Sequence, residues 1–348
     1  MAPSFPQRKL GDASVSAIGL GCMGMSIPSP KGLPDEASSL ETLTAAADMG
    51  VTFWDTSDMY GPHHNEQLIG KWLAQHPERH SSIFLATKFG CKIDLASRSL
   101  TVHGSAAYVR EACDASLKRL GVDTIDLYYA HRIDPKIPIE ETVGAMAELV
   151  REGKVRYLGL SECSARTLRR ACKVHPIAAV QMEFSPFALE IEDEAVGVLA
   201  ACRELGVKIV AYSPLGRGWL TGAIRRKEDM DPNDLRFTMH PRFSEENFQG
   251  NVRLVEALEV MAKEKACSPG QLALAWVLAQ GEDFIPIPGT KHVKYLKDNA
   301  GAAEVEFSKD DEKRFRDIVE NVGGAKGARY PEGFLASCFG ETPELGQA

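Results

Sequence analysis

Short apolar runs alternate with longer amphipathic stretches along most of this chain. A short run that is apolar throughout is typical of a buried strand, and apolar residues repeated every three or four positions are typical of a helix with one buried face. Counting these pairs gives eight strand–helix units. The predicted strands are Ser16–Leu20, Val51–Trp54, Ile83–Thr87, Ile125–Tyr129, Val155–Leu160, Ala178–Met182, Val207–Ala211 and Phe284–Pro286. The helices that follow them are predicted at Asp35–Met49, Asn65–Ala74, Ser105–Leu120, Ile139–Arg151, Ala165–Val174, Asp193–Leu205, Val252–Lys265 with Pro269–Ala279, and Val293–Ala300.

Strands that alternate with helices predict a parallel sheet. Eight units without a reversal favour an α/β fold of the closed (β/α)8 TIM-barrel type over an open doubly wound sheet. The turn at Gly11 and Asp12 predicts an N-terminal β-hairpin ahead of the barrel. The additional length goes to a long loop after strand seven, Gly216–Gly250, and to an extra C-terminal helix, Lys309–Asn321.

The composition excludes several classes of protein. The formal net charge is −8 with both signs scattered, which predicts no nucleic-acid partner and no membrane partner. The polar N-terminus does not resemble a signal peptide, and no apolar run approaches the length of a membrane span. The eight cysteines include no Cys-x-x-Cys pair, so we expect a reduced, cytoplasmic protein. Because the composition shows no break, we expect one domain over residues 1–348, with a core at about 8–321 and a tail at 322–348.

The segment Gly19-Leu20-Gly21-Cys22-Met23-Gly24 matches the glycine pattern of dinucleotide-binding proteins. In those proteins the glycines open a helix whose N-terminus binds a pyrophosphate. Here prolines follow at positions 28, 30 and 34, and proline both removes a donor and holds its neighbour extended. We therefore reject this fingerprint and expect the glycines to let the backbone approach another group closely.

Three predicted strands end in an ionisable residue. Asp55 follows the second strand, Lys88 the third and His131 the fourth, while Tyr60 lies in the turn after Asp55. In a barrel all strands end on one face, where active sites are built. Taken alone, Asp55 is better explained as a turn cap and Tyr60 as a loop aromatic. Four compatible side chains at equivalent places predict one catalytic site instead.

The chemistry of these four residues predicts a proton donor. A phenol has a pKa near ~10, and a neighbouring ammonium lowers it, so Lys88 would make Tyr60 a better acid. Asp55 would pair with Lys88, and His131 would donate a hydrogen bond to a carbonyl oxygen or relay a proton. Such a set protonates an oxygen that becomes negative when hydride reaches its carbon. The nine histidines show no metal-ligand spacing, so no metal is expected.

Several further stretches carry a family signature. They are Leu20-Gly21-Cys22-Met23-Gly24-Met25, Asp55-Thr56-Ser57-Asp58-Met59-Tyr60-Gly61, Thr87-Lys88-Phe89-Gly90, Gly159-Leu160-Ser161, Gln181, Tyr212-Ser213-Pro214-Leu215-Gly216-Arg217-Gly218 and Ile287-Pro288-Gly289-Thr290-Lys291. With them the chain resembles the aldo-keto reductases over nearly its whole length, and most of all the branch of perakine reductase-like and fungal pyridoxal reductase-like enzymes. In that family a tetrad of Asp, Tyr, Lys and His performs the chemistry inferred above. The tetrad falls here on Asp55, Tyr60, Lys88 and His131.

The resemblance also implies the cofactor. Aldo-keto reductases bind NADPH, which becomes NADP, in an extended form across the barrel mouth without a Rossmann domain. The family pattern implies that the nicotinamide amide is held by Ser161 and Gln181, that its ring stacks on Tyr212, and that a glycine-containing loop meets the pyrophosphate. The 2′-phosphate and adenine would meet residues after the eighth strand. The implied cofactor residues are Met23, Ser161, Gln181, Tyr212, Ser213, Pro214, Leu215, Gly216, Gly218, Thr290, Lys291 and Asn299.

Two positions depart from the family pattern. Many members have Asn after the Ser that matches Ser161, and this chain has Glu162. Many NADPH users carry Arg four residues before the Asn that matches Asn299, and this chain has Tyr295. Lys291, helped by Lys294, would then supply the charge that selects NADPH over NADH.

The expected function is reduction of an aldehyde or ketone to an alcohol by hydride transfer from the nicotinamide, with Tyr60 as the proton donor. Potassium-channel β subunits also resemble this chain, so the alternative is an NADPH-binding regulatory subunit with little catalysis. Such regulators usually carry an extra N-terminal segment, and the early hairpin here favours the enzyme. The expected partner is a small carbonyl compound, while the oligomeric state and the direction of the reaction in the cell stay open. Met25, Trp54 and Phe89, with the long loop and the tail, would shape a pocket for a hydrophobic or flat substrate.

Overall fold

The computed structural model of the protein describes residues 5–27, 32–94 and 99–346. Two of the prolines after the glycine segment, at positions 28 and 30, lie outside these ranges. The strands are β1 Gln7–Leu10, β2 Ala13–Ser16, β3 Leu20–Gly21, β4 Phe53–Asp55, β5 Phe84–Phe89, β6 Cys91–Asp94, β7 Ser99–Val102, β8 Ile125–Ala130, β9 Val155–Ser161, β10 Ile177–Glu183, β11 Lys208–Tyr212 and β12 Phe284–Pro286. The α-helices are α1 Glu36–Met49, α2 His64–Gln75, α3 Ala106–Leu120, α4 Ile139–Arg151, α5 Ala165–Val174, α6 Val198–Leu205, α7 Arg236–Met239, α8 Glu245–Glu264, α9 Pro269–Ala279, α10 Val293–Gly301, α11 Lys309–Asn321 and α12 Glu332–Leu335.

Eight parallel strands form the central sheet. They pair in the order β3, β4, β5, β8, β9, β10, β11 and β12. The first and last strands meet where the Gly19 N–H donates to the Pro286 oxygen at 2.9 Å and where Gly21 bridges to Gly289. The sheet therefore closes on itself, and the predicted (β/α)8 fold is confirmed.

The glycines of the rejected dinucleotide pattern lie at this closure. A Cβ at Gly21 would lie 2.8 Å from the Ile287 oxygen, and a Cβ at Gly19 would lie 2.9 Å from the Phe53 oxygen. Only residues without a side chain allow such an approach. A single 3-10 turn at Met23–Met25 follows. These glycines therefore close the barrel, as the expectation of a close backbone approach required.

Residues that alternate along the strands divide the core into two parts. Phe53 faces the barrel interior, whereas Trp54 packs edge-on against Trp72 in the layer of helices, with ring centres 4.7 Å apart. Leu10 and Val15 of the N-terminal hairpin join the interior cluster. The hairpin thus closes the end of the barrel opposite the strand carboxyl ends. The interior cluster contains Leu10, Val15, Phe53, Phe84, Ala86, Leu127, Tyr129, Ala179, Val210, Ile285 and Ile287.

Side-chain caps fix the starts of several predicted helices. The side chains of Asp35, Ser105, Ser164, Ser268 and Ser308 each accept a hydrogen bond from a backbone N–H in the first turn of the following helix. Such caps satisfy donors that have no partner inside the helix. The boundaries of these helices therefore follow from local sequence. No helix among the described residues is long and apolar enough to cross a membrane.

The first predicted strand, Ser16–Leu20, is wrong in its position. Ser16 ends the hairpin, and its Oγ accepts hydrogen bonds from the backbone N–H groups of Thr52 and Phe53 at 3.1 and 3.0 Å. The barrel strand begins only at Leu20, where the chain reaches the closure.

Two predicted segments in the second half also differ. The helix predicted over Asp193–Leu205 begins at Val198, because Gly197 has a φ of 64° and interrupts it. The long loop after strand seven contains short helices, and α8 begins at Glu245 inside the range predicted as loop. Phe248 and Val252 of α8 are buried. Their packing in the core explains why the helix begins earlier than predicted.

A second hairpin, formed by β6 and β7, was not predicted. Its strands follow β5 directly and pair antiparallel from Cys91 with Val102 to Asp94 with Ser99. It lies outside the eight-stranded sheet and extends from the carboxyl end of β5.

Candidate active site

The alternation of side chains brings the predicted catalytic residues to one end of the barrel. Asp55 is two residues beyond the inward-facing Phe53, and Lys88 is two residues beyond the inward-facing Ala86. His131 stands in the same relation to Tyr129, which pairs with Lys88 in the sheet. Inward positions repeat every second residue, so the carboxyl ends of three neighbouring strands direct these side chains into the same space.

Lys88 connects the site. Its Nζ donates to Asp55 Oδ1 at 2.5 Å, to the Thr56 oxygen at 2.7 Å and to Tyr60 Oη at 3.2 Å. Lys88 is fully buried, while Tyr60 is partly exposed toward the barrel mouth. The second oxygen of Asp55 accepts from Gln181 Nε2 at 2.7 Å. The predicted Asp55–Lys88 pair and its contact with Tyr60 are therefore present.

Burial and neighbouring charges shift the pKa values of these residues in opposite directions. Burial by itself would lower the pKa of Lys88, but Asp55 and Tyr60 raise it above its ordinary value, so Lys88 is an ammonium. Burial raises the pKa of Tyr60, and Lys88 only partly offsets this. Lys88 thus acts on the Tyr60 pKa in the predicted direction, but the net lowering that we expected is absent. Burial also raises the pKa of Asp55 against the lowering effect of Lys88, and we treat Asp55 as a carboxylate because both of its oxygens accept hydrogen bonds.

His131 completes the group. Its ring lies edge-on to the Tyr60 ring, with centres 5.8 Å apart and an angle of 83°. Burial, followed by the charges of Lys88 and Arg132, lowers the pKa of His131 well below its ordinary value, so the ring is neutral. His131 Nδ1 lies 3.0 Å from the Ser57 Oγ, a contact that the sequence analysis did not include.

The residues expected to hold the nicotinamide lie beside this group. Ser161 ends β9 and pairs in the sheet with Gln181 of β10, and both are buried. Tyr212 ends β11, and its hydroxyl donates to Glu162 Oε1 at 2.9 Å. The structure therefore brings these three side chains to the same end of the barrel as the tetrad.

The glycine-containing loop, residues 213–218, adopts an unusual backbone. Ser213, Gly216, Arg217 and Gly218 all have positive φ, between 49° and 101°. The N–H groups of Gly216 and Gly218 donate within the loop, to the oxygens of Ser213 and Leu215 at 2.9 and 3.0 Å. These two donors are already engaged, so contact between this loop and a pyrophosphate stays a prediction.

The remaining expected cofactor residues surround the closure of the barrel. Met23 lies in the 3-10 turn after β3 and is 39% exposed. Thr290 is buried and its Oγ1 accepts from the His292 N–H at 3.1 Å, ahead of α10. Lys291 makes no ion pair within residues 5–27, 32–94 and 99–346. Asn299 is buried on α10.

A buried charge cluster that the sequence analysis missed lies between the barrel and the tail. Arg329 donates to both oxygens of Glu162, at 3.0 and 3.2 Å, and both side chains are at most 3% exposed. Glu183 accepts from Arg242 and Arg217, each at 3.2 Å. Glu162, which replaces the usual Asn, therefore anchors the tail. Its φ of 51° and its pairing with Arg329 were not readable from composition or periodicity.

The expected pocket walls need correction. Met25, Trp54 and Phe89 are fully buried among the residues that pack between the strands and the helices. Phe89 stacks on Tyr128 in this outer cluster, with ring centres 4.8 Å apart. Trp54 and Phe89 have the opposite parity to Asp55 and Lys88 on their strands, and Met25 is buried in the 3-10 turn after β3, so none of the three lines an open hydrophobic pocket.

Comparison with known proteins agrees with this fold. The profile of the Aldo/keto reductase family matches residues 17–320, and the chain therefore belongs to that family. The chain is 49% identical over 342 residues to the Aldo-keto reductase yakc [NADP(+)] of Schizosaccharomyces pombe, covering 98% of this chain and 99% of that protein. It is also 49% identical over 349 residues to the Aldo-keto reductase str7 of Strobilurus tenacellus, covering 99% of each.

A solved structure supports the same assignment. The glycerol dehydrogenase AKR11B4 from Gluconobacter oxydans superposes with a TM-score of 0.81 at 28% identity, over 91% of this chain and 96% of that chain. The fold and the family are thus established by two independent kinds of similarity.

Proposed function

We propose that this protein is an NADPH-dependent reductase that converts an aldehyde or ketone to an alcohol. Membership of the aldo/keto reductase family makes it an oxidoreductase. The observation that carries the specific reaction is the position of Lys88 Nζ, which contacts Asp55 Oδ1 and Tyr60 Oη together. In this reaction the carbonyl carbon gains a hydride, which a bound NADPH would supply on becoming NADP, and the carbonyl oxygen gains a proton.

The tetrad supplies the proton. Burial raises the pKa of Tyr60, so the phenol keeps its proton at neutral pH and can donate it. The alkoxide that forms on hydride addition is a stronger base than a phenolate and takes this proton. Lys88 then stabilises the phenolate that remains, because its ammonium already donates to Tyr60 Oη. Asp55 holds Lys88 in position through the 2.5 Å ion pair.

His131 orients the carbonyl in this proposal. The proposal requires the tautomer with its proton on Nε2, in which Nδ1 accepts from the Ser57 hydroxyl 3.0 Å away. Nε2 has no partner among the residues that the structure describes, so it is available to donate to the carbonyl oxygen. The Ser57 hydroxyl also lies within reach of Asp58 Oδ1 at 3.2 Å and the Lys88 oxygen at 3.4 Å, so this part of the proposal requires that it donate to His131 instead.

The residues expected to hold the cofactor suit nicotinamide adenine dinucleotide phosphate. Ser161 and Gln181 place a hydroxyl and an amide next to each other, which suits a carboxamide. Lys291 and Thr290 place an ammonium and a hydroxyl ahead of α10, which suits a phosphate. When bound, the reduced nicotinamide supplies the hydride. The relative from Schizosaccharomyces pombe carries NADP(+) in its name, which supports the same cofactor here.

Tyr60→Phe tests the proposal. The variant should lose on the order of 10²–10⁴-fold in kcat with 4-nitrobenzaldehyde, because it removes only the proton that the reaction consumes. NADPH binding, followed by fluorescence titration, should stay near that of the wild type. Tyr157→Phe is the matched control, since the Tyr157 hydroxyl bonds to Asp12 of the N-terminal hairpin at the opposite end of the barrel.

The outcomes separate the two functions. A Tyr60→Phe variant that keeps the wild-type kcat would refute the proton-donor assignment. A wild-type protein that binds NADPH but reduces no aldehyde or ketone would instead favour the regulatory subunit.

A cytoplasmic location stays part of the proposal, supported by eight cysteines that form no disulfide.

A further inference from the structure

Four arginine side chains converge on the mouth of the barrel, and three of them are paired. Arg217 and Arg242 each donate to Glu183 at 3.2 Å, and Arg329 binds Glu162 through two hydrogen bonds. These contacts neutralise the two fully buried carboxylates of the region. The remaining guanidinium belongs to Arg132.

Arg132 has no carboxylate partner. Within residues 5–27, 32–94 and 99–346 it forms no ion pair, and its Nε is buried without any hydrogen-bond partner. Its Nη1 donates to the His131 oxygen at 2.8 Å and lies 3.5 Å from the Ser161 Oγ. Burial lowers the pKa of Arg132, and the nearby Tyr212, Tyr330 and Glu162 raise it above its ordinary value, but both oxygens of Glu162 accept hydrogen bonds from Arg329. The rest of the guanidinium is half-buried, and a charged donor such as its buried Nε is costly to leave unsatisfied unless a ligand supplies an acceptor.

Arg132 lies next to the residues that are proposed to react with the substrate and to hold the cofactor. It follows His131 directly and lies beside Ser161, so it stands between the tetrad and the residues expected to hold the nicotinamide. Its charge also lowers the pKa values of His131 and of Tyr60, as a cation close to both must. An anionic group bound by Arg132 would therefore belong to the molecule whose carbonyl meets Tyr60.

We infer that Arg132 recognises a carboxylate on the substrate, so that the substrate is a carbonyl compound bearing a negative charge. This inference rests on the proposed reductase function and deepens it. A guanidinium suits a carboxylate because its planar fork can donate two parallel hydrogen bonds. The inference adds a negative charge to the expected hydrophobic or flat substrate, since Met25, Trp54 and Phe89 are buried in the core and offer it no apolar surface.

The test compares carboxylates with their neutral esters. Wild type and Arg132→Met are assayed with 3- and 4-carboxybenzaldehyde and with the methyl ester of each acid, in the presence of NADPH. The readout is the ratio of kcat/KM for an acid to kcat/KM for its ester, measured within one enzyme. A charge-assisted contact predicts that this ratio falls between about tenfold and 100-fold in Arg132→Met for at least one isomer. Arg132→Lys, which keeps the charge but loses the fork, should show an intermediate ratio.

Arg166→Met is the control for net charge. Arg166 lies at the same end of the barrel, on the exposed start of α5, and pairs with Glu344 of the tail. Its removal changes the formal charge of the protein by the same amount and should leave the ratio unchanged. A fall in the ratio that Arg166→Met reproduces would overturn the inference, because a general field would then explain it.

Three further results would each count against the inference, and the last would also count against the proposed function. If wild type reduces the esters but Arg132→Met leaves every ratio unchanged, the inference is overturned while the reductase function stands. If NADPH affinity falls in Arg132→Met and the ratios do not move, Arg132 holds the cofactor amide, and the inference is again overturned. If wild type reduces neither acids nor esters, the proposed function fails and the inference fails with it.

Discussion

The Lys88→Met substitution tests whether the Asp55–Lys88 pair holds the site together. It removes an ammonium that makes three hydrogen bonds, to Asp55 Oδ1, to the Thr56 oxygen and to Tyr60 Oη. Methionine has a similar length, so the packing around the side-chain stem changes little. The principal effect is that Asp55 loses its counter-ion and keeps only the hydrogen bond from Gln181.

The expected loss follows from burial. Both members of the pair are nearly inaccessible, with side chains 0% and 3% exposed. Removing one partner of a buried ion pair typically destabilises a protein by about 3–5 kcal/mol, because the other charge stays buried and unpaired. We expect a loss of this size in the free energy of unfolding at neutral pH, together with the loss of reductase activity.

The loss should depend on pH. In the wild type the raised pKa of Lys88 contributes stability that is fully present below the unfolded pKa and is lost only as the pH rises through the folded value. In the variant burial raises the pKa of Asp55 without the opposing effect of Lys88. A carboxyl whose folded pKa is raised binds more protons when folded, so the stability of the variant falls as the pH rises above about 4. The difference between wild type and variant should therefore be smaller near pH ~4 than near pH ~8.

Urea unfolding at several pH values, followed by circular dichroism, measures this difference. The double variant Asp55→Asn/Lys88→Met removes the stranded charge and should be more stable than Lys88→Met alone at neutral pH. A Lys88→Met protein with wild-type stability at every pH would refute the reasoning. So would a double variant that is no more stable than the single one.

Two further predictions concern the cofactor and the tail. Lys291→Ala should weaken NADPH binding by about one to two decades and leave NADH binding nearly unchanged, since a charge-assisted hydrogen bond is worth roughly 1.5–3 kcal/mol. Fluorescence titration of both cofactors measures the ratio, and a ratio that does not move places the 2′-phosphate elsewhere. Arg329→Met should lower the free energy of unfolding at neutral pH by about 3–5 kcal/mol, because Glu162 is left buried and unpaired. Arg329 helps to hold the pKa of Glu162 below its ordinary value against burial, so this loss should shrink as urea unfolding is repeated at acid pH, and a loss that does not change with pH would contradict the pairing.

The extent of the domain remains a prediction. The sequence predicts one domain with a core at about 8–321 and a tail at 322–348. Arg329, at 3% exposure, inserts from the tail between Glu162 and the rim of the barrel. This contact argues that the tail folds together with the core, and the Arg329→Met measurement bears on it directly.

Local sequence was enough to predict the strand–helix order. Strands buried on both faces are apolar throughout, and helix starts such as Ser105 and Ser308 carry their own capping side chains. The first barrel strand, whose position was predicted wrongly, lacks such a local signal. The first barrel strand is two residues long and exists because Gly19 and Gly21 meet the last strand, which lies far away in the sequence.

The meeting of the proposed catalytic residues was also predictable, because most of them lie at a fixed place in a regular fold. Asp55, Lys88 and His131 each end a strand, and parallel strands of a barrel end on one face. The sequence alone therefore determined which residues meet. Only the tertiary structure decided that burial outweighs Lys88 in the pKa of Tyr60, because the degree of burial depends on everything packed around the phenol.

Only the tertiary structure likewise decided which charged residues pair at the barrel mouth. Arg329 pairs with Glu162 across 167 positions of sequence, and no periodicity connects two such residues. The sequence determined the fold and the tetrad because both follow from short-range patterns and a repeating architecture. The structure decided which arginines are neutralised and which one, Arg132, is left facing the site, because an ion pair depends on distances that only folding sets.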